Sequence, residues 1–305
     1  MSDFKVHILG CGSATPTARH KPSCQVVNAH GKLFMIDCGE GAQLEFRRQG
    51  LKFSRLGHIF ISHMHGDHFL GLPGLLSTMA LHDKEGDITV HIHPEGAHLL
   101  KEIMAVLCRE TPYTLHYDII DPGSRRVLYE DRSLTVETFP LYHRVPCSGF
   151  IVREKQPRRP LLPDMLDHYA VPVAVRQAIA EGADFEASDG RIIPNSWLTR
   201  EPAPPASYAY CSATRSDARV AAAIKGVRTM YHEATYDDSQ AFKASARGHA
   251  TAREAAIIAR KAGAERLVLG HYSKSIADET LLVAEAAEEF KGEILAATEG
   301  LVFAP

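Results

Sequence analysis

A dense group of metal-binding side chains occurs in the segment HMHGDH at 63–68. It follows the apolar stretch HIFIS, which is typical of a buried strand. In a loop after a strand, alternating His63 and His65 can point to one metal ion. Asp67 and His68 then turn toward a second ion. Imidazole and carboxylate are ligands suited to zinc. A polar surface loop with chance histidines is the alternative, but it offers no reason for so many ligands to lie side by side.

Two metal sites need further ligands, and two other histidines have a suitable context. His143 follows the predicted strand SLTVETFPLY, and His271 follows the predicted strand RLVLG. Each lies where a strand ends and a loop begins. A histidine in such a place is, on its own, more often a packed or surface residue. The cluster at 63–68 favours the metal-ligand interpretation for both.

The composition is that of a soluble globular chain, with 305 residues, 45% hydrophobic and 23% charged residues. The formal net charge of -3 argues against nucleic-acid binding through bulk basicity, but it does not exclude a local basic patch. Six cysteines form no CxxC pair, and no apolar run approaches the roughly 18 residues of a membrane span. The N-terminus lacks a signal-peptide pattern. We therefore expect a reduced cytoplasmic protein with no membrane partner.

Strands and helices alternate along the chain, and the early part also contains a hairpin with a turn at 29–31. This mixture predicts an α/β fold of two mixed sheets with helices outside, a four-layered αββα sandwich, rather than a doubly wound parallel sheet. Residues 153–206 interrupt the alternation with proline-rich stretches and one short predicted helix. We interpret them as an arm inserted into a single domain that spans 1–305.

Several segments resemble ribonuclease Z, the family of the metallo-β-lactamase superfamily that trims precursor tRNA 3′ ends. HMHGDHFLGLPG resembles the HxHxDHxxG signature of the superfamily. GCGSATPTARHKPS and IDCGEGAQLEFRR resemble the first two segments of the family, and HEATYDDSQAFKASARGHATAREAA resembles its HEAT…GHST stretch. The resemblance covers nearly the whole chain. It implies the metallo-β-lactamase sandwich and two zinc ions that together activate a water and polarise the phosphodiester.

The resemblance also implies a role for each candidate residue. The implied zinc ligands are His63, His65 and His143 for one ion, and Asp67, His68 and His271 for the other. Glu233 and His249 match the pair implicated in proton transfer to the leaving 3′ oxygen. Asp67 counts with them as a catalytic residue. Asp37 is expected to support the histidine segment from behind.

One ligand that the resemblance implies is missing. The family has an aspartate that bridges both zinc ions, and Ala213 stands at that position in the segment YCSATR. A methyl group cannot bind metal, so we expect weak occupancy of the site of Asp67 and a large loss of activity. Three explanations stay open. The alanine is an introduced substitution, it is a natural loss that leaves a binding protein, or the nearby Asp217 replaces the carboxylate.

The last motif departs from the family as well. HYSKSI at 271–276 replaces the usual His-Phe-Ser-x-Arg-Tyr, and Lys274 is the candidate for the lost phosphate contact. The arm resembles the family's exosite arm in position but lacks its Gly-Pro pair. Its expected contacts to a tRNA phosphate backbone are Arg153, Lys155, Arg158 and Arg159. A solvated face beside a dimer contact is the alternative for these residues. The resemblance implies a homodimer that acts on precursor tRNA.

The leading hypothesis is thus a zinc-dependent endoribonuclease that removes 3′ trailers from precursor tRNA, impaired by Ala213. One alternative is an inactive or tRNA-binding homologue. The other is a metal-dependent phosphodiesterase that acts on small substrates.

Overall fold

The computed structural model describes residues 4–82 and 84–305. The strands are β1 (Phe4–Gly10), β2 (Cys24–Ala29), β3 (Lys32–Ile36), β4 (Leu56–Phe60), β5 (Gly86–Ile92), β6 (Tyr113–Ile119), β7 (Arg126–Glu130), β8 (Leu134–Tyr142), β9 (Pro146–Glu154), β10 (Phe185–Glu186), β11 (Ile192–Ile193), β12 (Ser207–Cys211), β13 (Thr229–Glu233), β14 (Arg266–Gly270), β15 (Glu293–Ala296) and β16 (Val302–Phe303). The α-helices are α1 (Ala42–Arg48), α2 (Gly66–Phe69), α3 (Leu72–Leu81), α4 (Pro94–Leu107), α5 (Pro163–His168), α6 (Arg176–Ala180), α7 (Asn195–Leu198), α8 (Ala218–Ala223), α9 (Ala241–Arg247), α10 (Ala252–Ala262) and α11 (Glu279–Glu289).

Two mixed seven-stranded sheets form the centre of the fold. The strand order is β16-β1-β2-β3-β4-β5-β6 in the first sheet and β15-β14-β13-β12-β9-β8-β7 in the second. The hairpin of β2 and β3 turns at His30 and Gly31, which both have positive φ, as a tight two-residue hairpin turn requires. The predicted turn at 29–31 is therefore confirmed.

The two sheets are joined by buried contacts between their facing sides. Tyr208 donates a hydrogen bond across the interface to Gln25, and the rings of Phe60 and Phe150 lie 5.4 Å apart. Helices α1, α3 and α4 cover the first sheet, and α8, α10 and α11 cover the second. This arrangement is the predicted αββα sandwich.

The chain forms two compact units. The larger comprises Met1–Tyr129, Val136–Val152 and Ala206–Pro305, and the smaller comprises Glu130–Thr135 and Arg153–Pro205. The smaller unit has its own apolar cluster, formed by Leu166, Val171, Ile179, Ile193 and Leu198. The division of 1–305 into one domain with an arm at 153–206 stays a prediction. Within the described residues, no helix combines the length and apolar character needed to cross a membrane.

Candidate metal centre

Two sets of metal-binding side chains lie at strand ends of the larger unit. Within each set, the ligand atoms are within 4.8 Å of one another. The first group consists of His63, His65 and His143, and the second group consists of Asp67, His68 and His271. The structure thus brings together each triplet of predicted ligands.

Local structure explains how these side chains converge. Strand β4 ends at Phe60, and the chain then runs in irregular backbone to His65 before one turn of helix, α2, carries Asp67 and His68. The interpretation of 63–68 as a loop is therefore wrong from 66 onward. The turn of helix places the His68 ring beside that of His63, with 4.1 Å between the ring centroids, so the two groups are neighbours. His143 and His271 directly follow β8 and β14, as predicted.

Three imidazoles face one another in the first group. His63 Nε2 lies 3.0 Å from His65 Nδ1, and His143 Nε2 lies 3.4 Å from the same atom. The remaining nitrogens contact protein groups: His143 Nδ1 donates to the carbonyl of Gly248 at 2.7 Å, and His63 Nδ1 lies 3.0 Å from a serine hydroxyl. Gly248 has a φ of 73°, and an added Cβ would lie only 3.1 Å from His143 Nδ1. Glycine therefore permits the contact that orients His143.

The second group joins a carboxylate to two imidazoles. His68 Nε2 lies 3.1 Å from His271 Nε2, and Asp67 Oδ2 lies 3.4 Å and 3.5 Å from those two atoms. His271 Nδ1 contacts the hydroxyl of Thr235 at 2.9 Å. The backbone of His271 has a φ of 59°, which is unusual for a side chain larger than glycine. Such backbone strain is concentrated at functional sites in proteins.

Asp37 supports the second group from behind. It is fully buried and has a φ of 57° at the end of β3. Its carboxylate accepts hydrogen bonds from His68 Nδ1 at 2.6 Å and from the hydroxyl of Tyr210 at 2.6 Å. It also accepts from the backbone and hydroxyl of Ser62 at 2.8 and 2.9 Å. This geometry orients the His68 ring, which is the supporting role expected from the sequence.

Electrostatics differ between the two groups. Burial lowers the pKa of His63 well below its usual value and lowers that of His143 to about 4, so both rings are neutral at pH 7. Burial also opposes a charge on His68, but the carboxylates of Asp37 and Asp67 outweigh it and raise the pKa of His68 to about 10. The carboxylates therefore favour a charged imidazole in the second group, whereas burial favours neutral imidazoles in the first.

Glu233, which is buried, and His249, which is partly buried, form a pair beside the second group. His249 Nδ1 lies 2.9 Å from Glu233 Oε2, and these two residues with His271 form another cluster within 4.8 Å. Burial opposes the charge on Glu233, but His249 outweighs it and lowers the pKa of Glu233 to about 2. Glu233 in turn raises the pKa of His249 despite burial. The pair thus suits proton transfer close to the metal groups.

Ala213 lies fully buried just after β12, and the neighbouring Thr214 amide donates a hydrogen bond to Glu233. Asp217 caps helix α8, because its carboxylate accepts from the backbone and guanidinium of Arg219 at 2.7–2.9 Å. Among the residues that the structure describes, neither ligand group includes a side chain from 207–217. Asp217 therefore does not stand in for the missing carboxylate.

The donor chemistry of both groups fits divalent metal ions. Imidazole nitrogens and carboxylate oxygens point inward, while hydrogen bonds on the opposite ring nitrogens fix their orientation. Bound ions of the zinc type would supply Lewis acidity and an activated water at this position.

The predicted substrate-binding residues are engaged in local contacts. Lys155, Arg158 and Arg159 each form an ion pair with a glutamate of the smaller unit, at 2.7–2.8 Å. Arg153 lies near the end of β9. Lys274 lines a small surface cavity of the larger unit. Their role in binding substrate stays a prediction.

Sequence reasoning did not identify the neutral groups that orient the ligands. Tyr210 and Thr235 contact Asp37 and His271, and Ser62 lies beside His63. Thr235 lies in the HEAT segment two residues after Glu233, which was the available signal for it. Tyr210 had no signal, because its strand is buried throughout and the sequence gives no sign of which hydroxyl contacts a carboxylate.

The fold and the two ligand groups define a metal-dependent hydrolase of the metallo-β-lactamase fold. In agreement, the structure is similar to that of human tRNase Z, short form, with a TM-score of 0.68 and 24% identity over 98% of each chain. It is also similar to the metallo-β-lactamase fold protein YhfI from Bacillus subtilis, with a TM-score of 0.70 and 18% identity over 99% of each chain. Residues 4–139 match a family model described as anti-Pycsar protein Apyc1.

Sequence comparison is more specific. The chain is 46% identical to ribonuclease Z of Parabacteroides distasonis, over 97% of each protein. It is likewise 46% identical to ribonuclease Z of Porphyromonas gingivalis, over 97% of each. The chain belongs to the ribonuclease Z family.

Proposed function

We propose that this protein is a zinc-dependent endoribonuclease that removes 3′ trailers from precursor tRNA, with activity reduced by Ala213. The observation that carries the proposal is the position of the pair Glu233–His249 beside two metal-binding groups. A phosphodiesterase needs cations to offset charge on the phosphate and an acid to protonate the leaving oxygen. The relatives named ribonuclease Z support the same reaction class.

His249 is the proposed acid for the leaving 3′ oxygen. Its Nδ1 is held by Glu233 at 2.9 Å, so a proton passed to substrate leaves from Nε2. The anionic partner stabilises the imidazolium and raises its pKa, which keeps the ring protonated near neutral pH. Glu233 also accepts from the hydroxyl of Thr235 at 2.5 Å, which fixes the carboxylate relative to His271.

Ala213 leaves each group with three protein ligands. Three protein ligands and a water are a working arrangement for catalytic zinc, so each group can bind an ion by itself. Cations held in both groups would repel one another, and the carboxylate that the family resemblance implies between them is replaced by Ala213. We infer that the first group keeps its ion and that the second is occupied weakly, because a second cation would have to bind beside the first without the carboxylate between them.

We propose that the substrate is precursor tRNA. The protein is proposed to act as a homodimer and to be located in the cytoplasm. The arm is proposed to contact the tRNA backbone through Arg153, Lys155, Arg158 and Arg159. Lys274, which lies outside the arm, is proposed to contact a further phosphate. Ion pairs near the surface contribute little stability, so phosphates can displace the glutamates that pair with Lys155, Arg158 and Arg159.

Restoring the carboxylate tests this proposal. We expect Ala213→Asp to increase the rate of precursor tRNA cleavage by at least about 100-fold, the scale of a lost transition-state contact of roughly 3 kcal/mol. The matched control is Ala213→Asn, which has the same size without the charge and should restore far less activity. Denaturing gel analysis of a precursor with a labelled 3′ trailer measures the rate, and zinc affinity at the second group should rise in parallel.

A second candidate, an inactive homologue that binds tRNA, is favoured by Ala213 alone. It predicts tight binding of precursor tRNA and no cleavage by either the wild-type chain or Ala213→Asp. If Ala213→Asp hydrolyses a small aryl phosphodiester but leaves precursor tRNA intact, the small-substrate phosphodiesterase replaces both candidates.

A further inference from the structure

A third set of metal-binding side chains lies outside the two ligand groups. The thiol of Cys11, the imidazole of His20 and the carboxylate of Glu299 have ligand atoms within 4.8 Å of one another. Cys11 is fully buried, and the side chains of His20 and Glu299 are only 11% and 14% exposed. The fold brings them together from the loop between β1 and β2 and from the segment after β15.

The separations within this set are close to those around one zinc ion. Cys11 Sγ lies 3.3 Å from His20 Nδ1, and His20 Nδ1 lies 3.1 Å from Glu299 Oε2. A tetrahedral ion with bonds of about 2.3 Å to sulfur and about 2.0–2.1 Å to nitrogen and oxygen places its ligand atoms roughly 3.3–3.6 Å apart. Small side-chain movements would therefore suffice to complete the site.

Outer contacts orient two of these ligands. His20 Nε2 lies 3.0 Å from Glu279, whose carboxylate is held by the guanidinium of Arg19 at 2.6 and 2.7 Å. Glu299 Oε1 accepts the backbone N–H of Lys21 at 2.7 Å. These contacts leave His20 Nδ1 and Glu299 Oε2 facing Cys11. A carboxylate behind a histidine ring is the usual outer partner of a metal-binding imidazole.

We propose that Cys11 Sγ, His20 Nδ1 and Glu299 Oε2 bind one divalent ion of the zinc type, with water as the fourth ligand. Thiolate, imidazole and carboxylate form a mixed set that suits zinc better than calcium or magnesium. His20 lines a small surface cavity together with Gly12, Thr17, Arg19 and Tyr272. Binding releases two protons to solvent, the thiol proton of Cys11 and the Nδ1 proton through which His20 contacts Glu299.

This ion would tie the loop between β1 and β2 to the C-terminal part of the larger unit. The same loop reaches the second group, because the backbone N–H of Ala14 donates to Asp67 Oδ2 at 2.7 Å. Ser13 donates its backbone N–H to the carbonyl of Tyr272, the residue after the ligand His271. The third site thus has a structural role that supports the position of Asp67.

Cobalt substitution tests the site through its thiolate. We expect Co²⁺ titrated into the full-length protein to give a near-ultraviolet thiolate-to-cobalt charge-transfer band whose final intensity corresponds to one thiolate–cobalt bond per chain. Cys11→Ser should abolish the band. The matched control is Cys147→Ser, which removes a buried thiol 3.7 Å from His63 in the first group and should leave the band unchanged.

Glu299→Gln provides a second variant that keeps the side-chain size. It should weaken cobalt binding at this site by at least 10-fold, as measured from the charge-transfer band. Circular dichroism should show an unchanged fold. No charge-transfer band in the wild-type protein, a band that survives in Cys11→Ser, or an unchanged affinity in Glu299→Gln would each overturn the proposal. The optical signal does not depend on RNA cleavage, so it distinguishes failure of this site from failure of the proposed function.

Discussion

The first and second ligand groups have the same number of protein ligands but carry charge differently. The first is formed by three histidines, and its outer contacts are the neutral Ser62 hydroxyl and the Gly248 carbonyl. The second contains Asp67 and lies against the buried carboxylate of Asp37. The first group therefore offers three imidazoles to a cation, whereas the second places His68 between two carboxylates. Ligand count alone does not decide which ion is retained when the bridging carboxylate is absent.

The largest effect on zinc binding is expected from removing His65, whose Nδ1 lies near the Nε2 atoms of both His63 and His143. His65→Ala should weaken zinc binding at the first group by more than about 100-fold, since even outer-shell changes cost about 10–100-fold. Competition with a chromophoric chelator measures the affinity, in a Cys11→Ser background that removes the proposed third site. His271→Ala is the matched variant in the second group and should leave the tight site intact. An equal loss of affinity for the tightly bound zinc ion in His65→Ala and His271→Ala would contradict the claim that the first group is the tighter site.

The next test separates proton transfer from metal binding. In the Ala213→Asp background, His249→Asn should lower the single-turnover cleavage rate by about 10²–10⁴-fold, the range of a lost general acid. Zinc affinity should stay unchanged, because His249 is not a member of either group. A parallel loss of zinc would assign His249 to the metal centre and refute its separate role.

A smaller effect is expected from the support behind the second group. Asp37→Asn should weaken zinc binding at the second group by about 10–100-fold and at the first group by less. The same chelator competition measures both affinities, in the Ala213→Asp background where the second ion is bound. Tyr210→Phe removes just one hydrogen bond to Asp37 and should give a milder loss in the same direction. If Tyr210→Phe weakens zinc binding at the second group as much as Asp37→Asn does, the loss of affinity does not come from the charge of Asp37.

A histidine pair outside both groups gives the smallest expected effect. His58 Nδ1 lies 3.1 Å from His91 Nε2, and burial lowers the pKa of His58 from 6.5 to about 4. The unfolded chain therefore binds this proton more readily, so stability is full above pH 6.5 and falls as the pH drops toward 4. We expect His58 to account for about 1–2 kcal/mol of lost unfolding free energy between pH 7 and pH 5.

His58→Gln cannot titrate, so its unfolding free energy from urea melts should change less over the same pH interval. His116→Gln is the control, because its side chain is 51% exposed and should retain the wild-type pH dependence. Identical slopes for wild type and His58→Gln would show that this buried histidine does not respond to acid. A lowered histidine pKa would then give no guide to the neutral first group either.

Much of this molecule follows from patterns along the chain. The apolar strands and the ligands at their ends were predicted. The segment 63–68 was recognisable because it holds four potential metal ligands within six residues, directly after an apolar strand. The short helix α2 was not, since one turn with glycine and histidine has no helical periodicity. The Cys11 cluster was also missed. Its members come from positions 279 residues apart, and no spacing rule relates His20 to Glu299.

Anomalous diffraction at the zinc edge from a crystal of the wild-type protein tests the central claim most directly. We predict a strong peak between His63, His65 and His143, and a weaker peak between Asp67, His68 and His271. Peaks of equal height would contradict the unequal occupancy that we infer from Ala213. No peak at the three histidines would contradict the metal centre itself.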